Sequence, residues 1–353
     1  MDRLKVLDGL RAGAVLLVMI SHAGLGHIVP GGLGVNIFFV LSGFLITTLL
    51  FVERDVNGFI SLKGFYMRRA VRIIPPMLIS YAAAVLLVAG GLLPSAFDAS
   101  GIIVDLFFLS NYSDLIGVAS GIPIPLWSLN IEEHFYMGFP FIFLAVANSV
   151  IGRFGKLILI FLFLALLIRF WEYERGNGAG IYYWTHTRFD MILYGVGLAV
   201  AARSGVIDRT KRGVGIGALI LATMVLLATL LIRDDWFRET IRYSLQGVAI
   251  SVILYVLLRT YLPVITPLLS SSVAKSVADL SYVLYLIHLP MMMTAHSSAT
   301  FLPEPLRFLL GAAASFLFAV LVRRFVELPP LAWRKKLKVG LQPVGPLRPK
   351  GLE

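Results

Sequence analysis

The first apolar stretch of the chain, residues 9–28, carries two ionisable side chains where hydrocarbon should surround them, Arg11 and His22. On an α-helix their spacing of eleven residues returns them to within roughly 20° of one face, about 16 Å apart along the axis. Ionisable groups inside a bilayer are costly and face polar cavities, so they mark functional positions. A neutral imidazole can take the proton of an alcohol as its oxygen attacks a carbonyl. It can equally serve as a hydrogen-bonded structural group. The spacing predicts an arginine and a histidine lining one seam of a membrane helix at two depths.

Four more strings place polar chemistry in apolar surroundings. In Phe65-Tyr66-Met67-Arg68-Arg69-Ala70-Val71-Arg72, the residues Arg69 and Arg72 stand at i and i+3, so one helical turn presents both guanidinium forks to one side. Such forks suit a phosphate-rich ligand, although the same arginines also fit a basic inner loop. The run Trp127-Ser128-Leu129-Asn130-Ile131-Glu132-Glu133-His134-Phe135-Tyr136 sets Glu132 among aromatic residues that would also suit an interfacial belt. Thr187-Arg188-Phe189-Asp190 opens a span with a basic and an acidic residue at i and i+2. Ser281-Tyr282-Val283-Leu284-Tyr285-Leu286-Ile287-His288 puts Tyr285 and His288 one turn apart, where His288 suits hydrogen bonding between helices. His27, His186 and His296 fall near outer span ends. There is no Gly-x-x-x-x-Gly-Lys loop for a nucleotide, and no cysteine for a disulfide, a thiol nucleophile or a thiolate metal site.

The elements that must hold these residues are membrane helices. Of 353 residues, 58% are hydrophobic and only 14% charged, against about 25% charged in soluble domains. Hydropathy predicts an all-α polytopic membrane protein with about ten transmembrane helices, near 9–28, 33–51, 74–94, 128–148, 156–171, 188–203, 212–232, 242–259, 278–297 and 305–323. Basic residues fall in 52–73, 149–156, 203–212 and the tail, which assigns those segments and both termini to the cytoplasm. The loops near Asp98, Glu172 to Glu174 and Asp234 to Asp235 then lie outside. The short apolar piece 101–109 would invert every later basic loop if it crossed, so it is expected to be a re-entrant or outer-surface helix. Residues 1–330 form the expected membrane domain, and 331–353 a basic cytoplasmic tail. The first apolar run is too long for a signal peptide and is expected to be retained. The charge of +11 sits mostly in short loops and the tail, where topology accounts for it, so nucleic acid is not an expected partner.

Together these strings resemble the acyltransferase-3 family of integral membrane acyltransferases. The matching pieces are Leu7-Asp8-Gly9-Leu10-Arg11 with His22, Phe38-Phe39-Val40-Leu41-Ser42-Gly43-Phe44-Leu45-Ile46, the Arg69/Arg72 pair before Pro75, Trp127-Ser128-Leu129 with Glu132, and Ser281-Tyr282 to His288. They run in the family order across nearly the whole chain. His134 stands where family members often carry glutamine. Many relatives append an extracytoplasmic hydrolase-like domain, and none is expected here. The resemblance implies transfer of an acyl group, commonly acetyl from acetyl-CoA, to a carbohydrate hydroxyl. The acceptor class includes O-antigen, exopolysaccharide and other cell-envelope glycans, free or lipid-linked. It also implies a multi-pass protein of the bacterial inner membrane, in contact with membrane lipid. Some members acylate macrolides or other small molecules. A small-solute transporter is the reading from another class.

The residues fit that chemistry. Coenzyme A is polyanionic, so Arg11, Arg69 and Arg72 are expected to bind its phosphates at the cytoplasmic mouth. His22 is the expected general base and Glu132 joins it in the catalytic set, with Asp8, Ser42, Arg188, Asp190, Tyr285 and His288 in support. Asp8 lies one turn before Arg11 and can orient it. No metal is expected, and no residue stands out as the oxyanion stabiliser. Because the chain lacks cysteine, single-cysteine labelling reads its topology. A cysteine at Gly58 or Gly205 should react only from the cytoplasm, and one at Gly176 only from outside. Labelling of Gly205 from outside would invert the later half and make 101–109 a full span.

Overall fold

The computed structural model describes residues 5–95, 99–147, 151–204 and 212–329. The basic tail 331–353, Asp98, Gly205, Arg209 and Lys211 lie outside the described residues. Each stretch that hydropathy marks as a span is helical: α1 Lys5–Ile20, α2 Gly31–Asn57, α3 Leu62–Ala89, α4 Leu126–Ala147, α5 Ile151–Glu174, α6 Thr185–Arg203, α7 Arg212–Leu231, α8 Ile241–Arg259, α9 Ser272–Ser298 and α10 Glu304–Val322. The described residues contain no strand, so the backbone polar groups within these helices are satisfied along each element, as a bilayer requires. Among the described residues seven helices are long and apolar enough to cross a membrane, or eight if the bent pair below is one span, fewer than the ten expected from hydropathy. The piece expected to be re-entrant is a bent pair, Ala99–Leu106 and Ser110–Ile116, turned through 114°. The chain is an all-α polytopic membrane protein.

Two helix boundaries differ from the hydropathy pattern, and both matter for the site. The segment 52–73 is nearly all helix rather than loop. α2 runs on to Asn57, where Gly58 takes a left-handed conformation (φ +77°) and returns its N–H to the Arg54 carbonyl. The Ser61 side chain then caps α3 by accepting from the Gly64 N–H, so α3 starts at Leu62 and carries Arg69 and Arg72 on a regular helix. Charges alone read as a loop there, because hydropathy does not register a cap. The first span also departs from a straight helix. It widens into a π-turn at Ser21–Leu25, and Gly24 at φ +82° ends it.

α1 lies between α2 and α9, α2 packs along α6, and α10 covers α9. The α2–α6 contact is backbone-close: a β-carbon on Gly43 would sit 1.9 Å from the Ile192 carbonyl oxygen, and one on Gly195 would sit 2.0 Å from that of Val40. Glycine is needed at both positions for close interhelical approach. Outward-facing Leu159, Ile160 and Phe163 on α5 are exposed, as a lipid-facing surface requires.

α5, α6 and α8 are pinned by a charge. Arg169 and Asp190 pair at 2.8 Å with both side chains fully buried. The same guanidinium also donates to the carbonyls of Thr187 and Thr240 and to Ser244 Oγ. Removing one partner strands the other charge in the apolar interior, which typically costs about 3–5 kcal/mol. Asp190→Ala should therefore lower the thermal unfolding midpoint in detergent sharply. An unchanged midpoint would show that this pair does not hold the three helices together.

Candidate active site

Five helices contribute to one cavity. Arg11 comes from α1, Ser42 from α2, Arg69 and Arg72 from α3, Glu132 from α4 and Tyr285 from α9. The cavity encloses about 800 Å³, its open mouth included. Three guanidinium groups face one lining carboxylate, so the cavity favours an anionic guest.

Glu132 is the hub of its polar contacts. One carboxylate oxygen accepts from Ser42 Oγ at 2.9 Å, and the other accepts from the Tyr136 hydroxyl at 3.0 Å. Arg69 lies over the Tyr136 ring, 4.1 Å from its centre. Glu132 thereby fixes a serine on α2 and, through Tyr136, the position of a guanidinium on α3. At the far end of the cavity the Ser128 and Tyr285 hydroxyls bond at 2.6 Å. The Tyr282 hydroxyl, also lining the cavity, donates to the Ile73 carbonyl one residue beyond Arg72.

His22 does not line this cavity. It stands at the start of the π-turn and lines a separate pocket with Leu289, Met292, His296, Glu304 and Phe308. The link between the two spaces is α9. The Tyr285 ring, in the cavity, is 5.9 Å from that of His288. His288 Nε2 is then 3.1 Å from His22 Nδ1.

The hydrogen-bond network assigns the protons of this histidine pair. His288 Nδ1 faces the carbonyls of Leu284 at 3.1 Å and Tyr285 at 2.8 Å, so this nitrogen carries the hydrogen. Its Nε2 is therefore a lone pair. His22 Nδ1 faces that lone pair and the Val18 carbonyl at 3.0 Å, and both are acceptors. The His22 hydrogen must sit on Nδ1. That leaves Nε2 unprotonated as the basic nitrogen of an exposed residue.

The remaining expected site residues fall elsewhere. Asp8 is on α1 one turn before Arg11 but does not line the cavity. Arg188 and Asp190 do not pair with each other: Asp190 holds Arg169, while Arg188 donates to Asn36 Oδ1 and the Tyr182 carbonyl and lies 3.9 Å over the Tyr243 ring. Trp127 and Tyr136, which would suit an interfacial belt, point inward instead. Trp127 packs on Phe39, Tyr182 and Tyr183, and Tyr136 is buried. Tyr136, Ser128 and Tyr282 are cavity residues that spacing did not single out. For Tyr136 the available signal was its position one turn after Glu132.

Residues 4–324 match the family described as "Acyltransferase domain", and the chain belongs to it. The chain is 30% identical over 347 residues to a provisionally named O-acetyltransferase of Staphylococcus aureus (strain COL), covering 92% of this chain and 56% of that protein. It is 31% identical over 350 residues to the peptidoglycan O-acetyltransferase OatA of Listeria monocytogenes, covering 92% and 55% respectively. A provisionally named peptidoglycan O-acetyltransferase of Bacillus subtilis, YrhL, is 35% identical over 211 residues, which cover 55% of this chain and 32% of that protein. The chain thus spans about half the length of the first two. No solved structure matches it.

Proposed function

We propose that this chain is a membrane O-acyltransferase that carries an acetyl group from acetyl-CoA to a hydroxyl of a cell-envelope glycan. The observation that carries this reading is the convergence of Arg11, Arg69 and Arg72 on one cavity, with Tyr285 of that cavity in contact with His288 and His288 in contact with His22. The relatives' names point to O-acetylation, and two of them to peptidoglycan.

In this mechanism the guanidinium groups hold the phosphates of the donor, and the thioester arm extends toward Ser128 and Tyr285. The acceptor approaches from the His22 side. Its hydroxyl oxygen bonds to the thioester carbonyl carbon while its proton passes to His22 Nε2. The carbon–sulfur bond then breaks, and the departing thiolate takes that proton to leave as free CoA. His288 keeps the His22 proton on Nδ1, so Nε2 is available as base. Glu132 positions Ser42 and Tyr136 along the path. With basic loops inside, the donor mouth is cytoplasmic, the acceptor side is outside, and the bacterial inner membrane is the setting.

Donor binding and chemistry can be separated in purified protein. Arg69→Ala or Arg72→Ala should weaken acetyl-CoA binding by roughly 1.5–3 kcal/mol each, the scale of a charge-assisted contact. Arg72→Lys should rescue only in part, because it keeps charge but loses the fork. His22→Ala and His22→Gln should abolish transfer with acetyl-CoA affinity near wild type, since an amide cannot take the proton. Isothermal titration with acetyl-CoA and mass spectrometry of the ester product read the two effects. Equal donor binding by wild type and the Arg69/Arg72 double alanine variant would overturn the donor site. Normal turnover by His22→Gln would overturn the base.

A further inference from the structure

A second, larger cavity opens where the α1–α2, α5–α6 and α7–α8 connections meet. It encloses about 2050 Å³ with its mouth, against about 800 Å³ for the first cavity with its mouth. Its lining differs from that of the donor cavity. Tyr173, Tyr182, Tyr183 and Tyr243 offer ring faces and hydroxyls. Asn36 and Gln246, joined by a 2.6 Å hydrogen bond, offer amides. Aromatic faces with amide and hydroxyl partners match the alternating C–H faces and hydroxyl edges of sugar rings.

The charge of this cavity is also defined. Arg233, Arg238 and Arg242 line it with Asp235, 3.6 Å from Arg238, and Glu239, 4.0 Å from Arg242, so Arg233 is the cation in excess. Behind the Tyr182 and Tyr243 wall stands Arg188, fully buried. Among the described residues no carboxylate contacts Arg188, since Asp190 is held by Arg169. Its Nε and that of Arg242 are buried without a hydrogen-bond partner. A guanidinium without a contacting counter-ion in a low-dielectric wall projects positive potential into the adjacent space. Ser21, the residue before His22, is part of the same lining, so the cavity borders the turn that carries the base.

We propose that this cavity binds the acceptor glycan and selects sugar chains that bear carboxylates. The proposal rests on the acyl-transfer reading and names the acceptor class for it. The tyrosines stack the rings, Asn36 and Gln246 meet hydroxyl or amide edges, and the arginines draw the carboxylate.

Binding in detergent tests the assignment without requiring turnover. The probes are the disaccharide N-acetylglucosaminyl-N-acetylmuramic acid, with a free carboxylate, and neutral chitobiose of the same length. Saturation-transfer NMR should show the acidic disaccharide bound at least about tenfold more tightly than chitobiose, the scale of one charge-assisted contact. Arg233→Gln/Arg238→Gln alters two rim residues, neither of them buried, and should remove most of that preference. Tyr183→Leu, at an exposed ring, should weaken both probes. In turnover assays the same variants should raise the acceptor KM with acetyl-CoA affinity unchanged. Equal binding of the two probes would overturn carboxylate selection. Absence of binding of both, or variants that bind like wild type, would overturn the site. Failure of the wild type to consume acetyl-CoA with either acceptor would instead overturn the acyl-transfer reading, whatever the binding data show.

Discussion

The constraint on which this structure depends is the cost of keeping charge inside an apolar bundle. A guanidinium or carboxylate at membrane depth must meet a partner or a polar space. This chain uses both solutions and keeps them apart. Arg169 and Asp190 neutralise each other completely, and their work is to join α5, α6 and α8. Arg11, Arg69 and Arg72 instead share a cavity in which Glu132 is the one lining carboxylate among the described residues, while Asp8, Glu133 and Glu327 act on Arg11, Arg69 and Arg72 from outside the lining. Glu132 spends its two oxygens on Ser42 and Tyr136. The backbone-close packing of Gly43 and Gly195 holds α2 against α6, and α2 in turn presents Ser42 to Glu132.

The histidine pair gives this polar interior its direction. The Val18 carbonyl, an acceptor, already draws the His22 hydrogen to Nδ1. His288, anchored by two carbonyls of its own helix, offers only a lone pair and forces the His22 hydrogen onto Nδ1. The basic nitrogen then belongs to the edge away from α9. The arginine-lined cavity and the His22 pocket are separate spaces, with the contacting Tyr285 and His288 rings between them.

Much of this was legible in the sequence because polar residues in apolar runs are conspicuous. Arg11, Ser42, Arg69, Arg72, Glu132 and Tyr285 stand out that way, and they converge. Three features were not legible, each for a physical reason. The π-turn at Ser21–Leu25 leaves hydropathy unchanged, so the apolar pattern reads as an unbroken helix through it. The Ser61 cap extends α3 through a cluster of charges that otherwise read as a loop. Arg169 lies in an apolar run beside Phe170 and Trp171, and its partner Asp190 is on another helix, so spacing along one helix instead offers Arg188 as the partner of Asp190.

The central claim is that donor and acceptor meet from opposite faces, at His22. Purified protein in sealed liposomes of one orientation tests it most directly, with labelled acetyl-CoA and a glycan acceptor each confined to a chosen side. The account predicts ester product only when acetyl-CoA is on the side of Arg69 and Arg72 and the glycan is on the other, with free CoA released on the donor side. Product formed only when both substrates share the donor side would contradict it.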